Sequence, residues 1–145
     1  MKKRLIAAAL LALAFAAQAS DRTVNIALED VLAMPDAEGK LDPEVKFFLD
    51  GQKTPTVIKK FASSKTSKKT NAFAKSDDVA CRWAALSALI SLQNAVKQQG
   101  GNAMIDMVSN YNNIETKSST TIECHAGGVM AGVALKGTVA KISTK

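Results

Sequence analysis

Residues 77–99, DDVACRWAALSALISLQNAVKQQ, constrain this chain more than any other stretch. Ser76 places a capping hydroxyl before two carboxylates, Asp77 and Asp78, where the positive end of a helix dipole favours them. Gly100-Gly101 closes the run, because glycine adopts the left-handed conformation in which helices end. Only a narrow stripe, Ser87, Ser91, Asn94 and Gln98, is polar at helical spacing. Such a helix cannot lie on a surface; it must be buried over most of its circumference, with Trp83, Leu86, Leu89 and Ile90 as its anchors. It should therefore be the central helix of the domain.

The flanking segments read mostly as strands. Residues 20–34 open with alternating Val24 and Ile26, then change to helical spacing at Leu28, Val31 and Leu32, stopped by Pro35. Residues 36–43 form a polar loop. Strands are expected near Val45–Leu49 and Thr56–Phe61, joined as a hairpin by Asp50-Gly51, with Pro55 keeping the second at an edge. After the helix, Ala103 to Tyr111 reads as a strand, residues 112–119 as a turn region, and residues 118–125 alternate cleanly. Val129–Leu135 and Thr138–Ile142 close the chain as one strand or two. The expected order is β-β-β-α-β-β-β, an α+β fold with one central, largely buried helix.

The N-terminus carries an address. Lys2, Lys3 and Arg4 precede an uncharged apolar run, Leu5 to Ala16, and Ala17-Gln18-Ala19 has the small-x-small pattern of a cleavage site. The run is too short to span a bilayer, which takes roughly 20 residues. We read residues 1–19 as a signal peptide and residues 20–145 as a single secreted domain, soluble and without an anchoring cysteine at the cut. Three of the six net positive charges belong to the leader, so the domain itself is only mildly basic. An exported, mildly basic chain is a poor candidate for a nucleic-acid partner.

Lys59, Lys60, Lys65, Lys68, Lys69 and Lys75 fall in a stretch with no acidic residue between Asp50 and Asp77. Serine, threonine and asparagine fill the gaps, so residues 59–75 read as a loop or an exposed hairpin. These lysines form a patch for an anionic partner such as lipid headgroups, lipopolysaccharide or cell-wall polymer, or else a solvated face. Arginine is absent from the run, and with it the bidentate grip on phosphate.

The stretch Ile122–Gly137 holds the chain's one histidine, one of its two cysteines and four glycines. Cys124 and His125 are metal-ligand types, with Glu123 or Asp106 as further donors, but neighbours on a strand point to opposite faces. The same geometry separates Cys124 from His125 as nucleophile and base. Gly132 and Gly137 have phosphate-loop spacing, yet Thr138 stands where the lysine is needed and no helix follows. Two cysteines in an exported chain have one intramolecular pairing, Cys81–Cys124, linking the helix start to the strand. His125 is expected to be an exposed polar residue, and the glycines to let strands approach closely. No catalytic constellation and no cofactor motif is read here.

Residues 69–111 together with ECHAGGVMAGVALKGTVAKI resemble a group of small periplasmic proteins of Gram-negative bacteria, often labelled as excinuclease ATPase subunits. The similarity extends over most of residues 45–143 and implies a periplasmic location. No Walker motif or paired C-x-x-C accompanies it, so neither ATPase nor excinuclease activity is expected. Ala95, Gly100, Gly101, Asn102 and Ala103 also resemble the helix–strand joint of RcsF-like and YbjQ-like domains. That resemblance implies a compact α+β domain with the helix packed on a curved, mostly antiparallel sheet and, from the YbjQ-like side, heavy-metal binding and homo-oligomeric rings. The pair of disulfides of RcsF cannot be reproduced with two cysteines.

Overall fold

The computed structural model describes residues 21–144, so the expected leader lies outside the described residues. The chain runs β1 (Arg22–Ala27), α1 (Leu28–Leu32), a 3-10 turn (Pro35–Ala37), β2 (Lys46–Leu49), β3 (Val57–Asn71) and α2 (Asp77–Gln99). It continues with β4 (Ala103–Ser109), a 3-10 turn (Tyr111–Asn113), β5 (Thr121–Ala126) and β6 (Met130–Ile142). This is the expected α+β fold, one long helix held in the hollow of a curled, mostly antiparallel sheet of six strands.

Strand β6 organises the sheet. Along one edge it pairs β3 over nearly its whole length. Along the other it pairs β5 through Ala131 and Gly132, then β4 from Leu135 to Ala140. Two strands sharing successive parts of one edge force the sheet to curl, and β1 and β2 extend it beyond β5 and β4. Gly137 allows the crowding where β4 crosses: a Cβ there would stand 2.9 Å from the Met104 sulfur and 3.0 Å from the Ile105 carbonyl oxygen.

Helix α2 has the length and hydropathy of a membrane span, yet it is the core element of this sheet. Leu86, Leu89, Leu92 and Val96 are fully buried, and Ala80, Ala84, Ala85 and Ala88 let the backbone sit close to the strands. Burying each leucine is worth roughly 1.5–3 kcal/mol. Trp83 and Ile90 are half-buried at the margin. The polar stripe meets the most polar strand: Ser91 accepts a 3.0 Å hydrogen bond from Thr66 on β3, and the nearby Gln99 amide oxygen accepts from Ala62 N–H. At the N-terminal end Ser76 caps through Val79 N–H, and Asp77 takes a bidentate pair from Arg22 of β1 at 2.7 and 2.9 Å. At the other end Gly100, at φ 78°, closes the helix with bonds to the Lys97 and Val96 carbonyls. Gln93, buried on the helix, accepts from Asp42 N–H and donates to the Lys40 carbonyl, pinning the loop before β2.

The disulfide between Cys81 and Cys124 is present, with Cα atoms 5.8 Å apart, joining the first turns of α2 to β5. Two expectations about pairing are corrected. The Asp50-Gly51 turn forms, with Gly51 at φ 90°, but β2 and β3 are not a hairpin. Strand β2 runs parallel to β4, where Phe47 and Leu49 reach the helix core, and β3 crosses to β6. A turn motif dictates local reversal only; burial decides which edges meet. Likewise residues 59–71 are neither a loop nor an exposed hairpin but most of a fifteen-residue strand paired with β6. It carries little apolar alternation because it lies at the sheet margin, its backbone satisfied by β6. The strand expected to reach Tyr111 ends at Ser109, and the closing segment is one strand.

Replacing Cys81 and Cys124 together by alanine should lower stability. The bridge spans a sequence separation of 43, for which the chain-entropy model predicts about 4 kcal/mol. Urea unfolding of oxidised wild type against the double variant measures the difference, and a loss under about 1 kcal/mol would contradict that expectation.

Candidate functional site

The register of β3 against β6 divides the lysines between faces. Val133, Leu135 and Val139 of β6 point into the helix core, so Gly132, Ala134, Lys136 and Thr138 point outward. Opposite them on β3 stand Lys69, Ser67, Lys65 and Ser63. Lys68 and Thr66 fall on the helix side. Lys59 stands opposite Lys141 and lies 4.9 Å from the Phe61 ring centroid. Lys75 lies beyond the strand, donating to the Asn71 carbonyl at 3.1 Å. The expected patch Lys59, Lys60, Lys65, Lys68, Lys69 and Lys75 is therefore not one surface. Lys65 and Lys69 share the outer face with Lys136.

Residues 110–117 fold across this outer face. Asn110 N–H donates to the Ala134 carbonyl at 2.9 Å, and Ser109 and Thr116 exchange backbone bonds that bring the loop back. Asn112 and Asn113 lie at φ 53° and 60°, a conformation asparagine tolerates better than most residues. A cleft of about 360 Å³ separates the loop from β3, lined by Ser63, Ser64, Lys65, Asn110, Asn113, Glu115 and Lys136. A second, of about 410 Å³, shares Lys65, Asn110 and Asn113 and adds Thr66, Ser67, Asn112 and Ala134.

Charge in the cleft is unbalanced. Lys65 and Lys136 are directly opposed across the strand pair, an arrangement that is destabilising by itself. Glu115 accepts from Lys136 at 2.7 Å, and that ammonium holds the Glu115 carboxyl below its ordinary pKa. Among the described residues Lys65 and Lys69 have no carboxylate partner.

His125 is not the exposed residue that was expected. Its side chain is only 14% exposed and its ring stacks on Tyr111, centroids 3.6 Å apart and planes 9° from parallel. Nε2 lies 2.6 Å from a Glu123 carboxylate oxygen, and Nδ1 lies 3.2 Å from Asp21. Glu123 N–H donates to the buried Ser109 hydroxyl. Of the metal candidates, Glu123 and His125 come together. Asp106 instead sits at a bulge of β4, at φ 53°, in a separate cleft with Asp50, Glu115 and Lys117. The two ring nitrogens diverge towards different carboxylates, so Asp21 and Glu123 do not converge on one point with the ring. Among the described residues no three histidine, cysteine or acidic side chains are placed to hold one metal ion. Cys124 faces the opposite way, buried in its bridge.

Sequence reasoning missed Tyr111, Asp21 and the asparagine loop. The only available signal was the run Asn110-Tyr-Asn-Asn113, whose asparagines favour tight turns. A larger hollow, about 750 Å³, lies beside β2 and is lined by Met34, Leu41, Phe47 and Phe48 among others. Its walls are mainly apolar, and Asp42 there is already bound by Lys97 and by Glu44 N–H. The outer face, with converging polar groups and an unneutralised cation, is the better candidate site. Comparison with protein-family models, curated proteins and solved structures found no match to this chain.

Three exposed carboxyls have their pKa lowered: Asp77 by the Arg22 hydrogen bond, Asp42 by Glu44 N–H and then Lys97, and Glu115 by Lys136. A depressed folded-state pKa contributes stability that is present above the unfolded value and lost as pH falls through the folded value. Thermal stability should therefore drop as pH falls below about 4. Replacing Asp42, Asp77 and Glu115 by their amides should flatten that drop in a series of melting curves, and an unchanged slope would refute this origin for it.

Proposed function

We propose that this chain is an exported, non-enzymatic binding protein of the Gram-negative periplasm, whose working surface is the outer face of β3 and β6 and whose ligand is an anionic envelope component. One observation carries this reading: two uncompensated ammonium groups, Lys65 and Lys69, share a face with Lys136 beside a polar cleft. The Cys81–Cys124 bridge is consistent with an oxidising compartment. The resemblance to small periplasmic proteins and the tripartite leader agree with that location. The competing account of the lysines is mechanical. Strand β3 pairs only β6 among the described residues, and lysines along a long edge discourage pairing with another chain.

Protein exported to the periplasm should have the mass of a chain starting at Ser20 and two hydrogens fewer than its reduced form. It should be retained by peptidoglycan or anionic vesicles at low salt and released at high salt. Replacing Lys65 and Lys69 by alanine should abolish that retention, and replacing Lys68, on the other face, should not. Unchanged retention, or a variant that merely self-associates, would leave the lysines as edge protection and overturn the proposal.

A second reading, heavy-metal capture, rests on Glu123 and His125 standing 2.6 Å apart as two donors. It expects stoichiometric Zn²⁺ or Cu²⁺ binding in calorimetry that disappears in His125→Ala. Absence of heat with the wild type would end it.

A further inference from the structure

We infer that the cleft beneath the asparagine loop takes an acidic oligosaccharide, the carboxylate or phosphate of one unit held by Lys65 and Lys136 and the ring of a unit further along the strands resting against Tyr111, which stands outside the cleft over Gly132. This rests on the proposed anionic-ligand reading and names the ligand class within it. Three observations lead to it.

The first is the opposed lysine pair. Lys65 and Lys136 face each other across β3 and β6, and Glu115 neutralises only one of them. An anion entering between them removes a repulsion and gains charge-assisted hydrogen bonds. The second is the lining. Around the two ammonium groups stand asparagine, serine and threonine side chains, donors and acceptors suited to hydroxyl groups. A diffuse lipid surface would need no such lining, whereas a polyhydroxylated ligand does. The cleft volumes, about 360 and 410 Å³, fall in the range of small-ligand sites, roughly 300–1,000 Å³.

The third is a braced aromatic. Tyr111 follows Asn110 at the loop's entry, and its ring is stacked on His125, which is itself held from both sides by Asp21 and Glu123. A Cβ added at Gly132 would find Lys69 Cγ at 3.5 Å and Tyr111 Cε2 at 3.9 Å, so the aromatic and the lysine row meet above one glycine. An immobilised, half-exposed tyrosine offers apolar surface at little entropic cost, which the C–H face of a sugar ring requires.

The test is titration of the full exported domain with tetragalacturonate, using calorimetry and amide shifts of isotope-labelled protein. Maltotetraose and vesicles of pure phosphatidylglycerol serve as comparisons. The expected result is tetragalacturonate binding with shifts at Asn110, Tyr111 and Asn113, and none with maltotetraose. Lys65→Ala should weaken it by roughly tenfold, the loss of one charge-assisted bond. Tyr111→Ala should weaken it comparably, and Tyr111→Phe, which keeps the stack, should not. Lys59→Ala, away from the cleft, should leave it unchanged. Vesicle binding without saccharide binding, insensitive to Tyr111, would overturn the saccharide assignment while leaving the anionic-ligand reading in place. Equal binding of both sugars would overturn the role of the lysine pair. No salt-sensitive binding of any probe would overturn both readings.

Discussion

The burial of α2 is the constraint on which everything else in this molecule depends. A helix of 23 residues that hides ten of them needs partners on most of its sides, and a flat sheet covers only one. The sheet therefore curls, and it does so through a single device: β6 gives one edge to β3 and divides the other between β5 and β4. Gly137 of β6 and the alanines of α2 are the small residues that let strands and helix close at this curvature. The disulfide and the Arg22–Asp77 pair then tie the helix's first turns to β5 and β1.

Curling the sheet also creates its second surface. Outward-facing residues of β3, β5 and β6 would otherwise be a plain solvated face. The connection from β4 to β5 lies across them, bonded to Ala134 and looped back through Ser109 and Thr116. The clefts, the Tyr111–His125 stack and the Glu115–Lys136 pair all arise from that one crossing. Cys124 and His125 illustrate how the two surfaces divide the work. Adjacent in sequence, one is locked into the core and the other is held on the outer face, so chemistry that needs both is excluded by the pleat.

The lysines of β3 have two roles open to them, and the structure separates the residues that suit each. Lys68 and Lys59 lie towards the helix side or the strand's beginning, where they can only keep the edge solvated. Lys65 and Lys69 share the outer face with Lys136, where cations meet a polar cleft. The patch is thus smaller than the run of lysines in the sequence, and includes one residue from the opposing strand.

Much of the architecture is legible in the sequence. The caps, length and central position of α2 and the order of elements along the chain follow from local propensity and apolar spacing, which are properties of short stretches, and the cysteine pairing follows from there being only two cysteines. Strand pairing was not legible. The Asp50-Gly51 turn suggested a hairpin that burial overruled, and β3 hid as a loop because a marginal strand needs backbone partners more than apolar side chains. The candidate site was less legible still: Lys65 meets Lys136, and Tyr111 meets His125, only through register. The sequence by itself determined one buried helix, its ends, its bridge and the strands that must surround it. The tertiary structure decided which edges pair and what gathers on the outer face, because contacts between residues far apart in the chain depend on how a shared core closes.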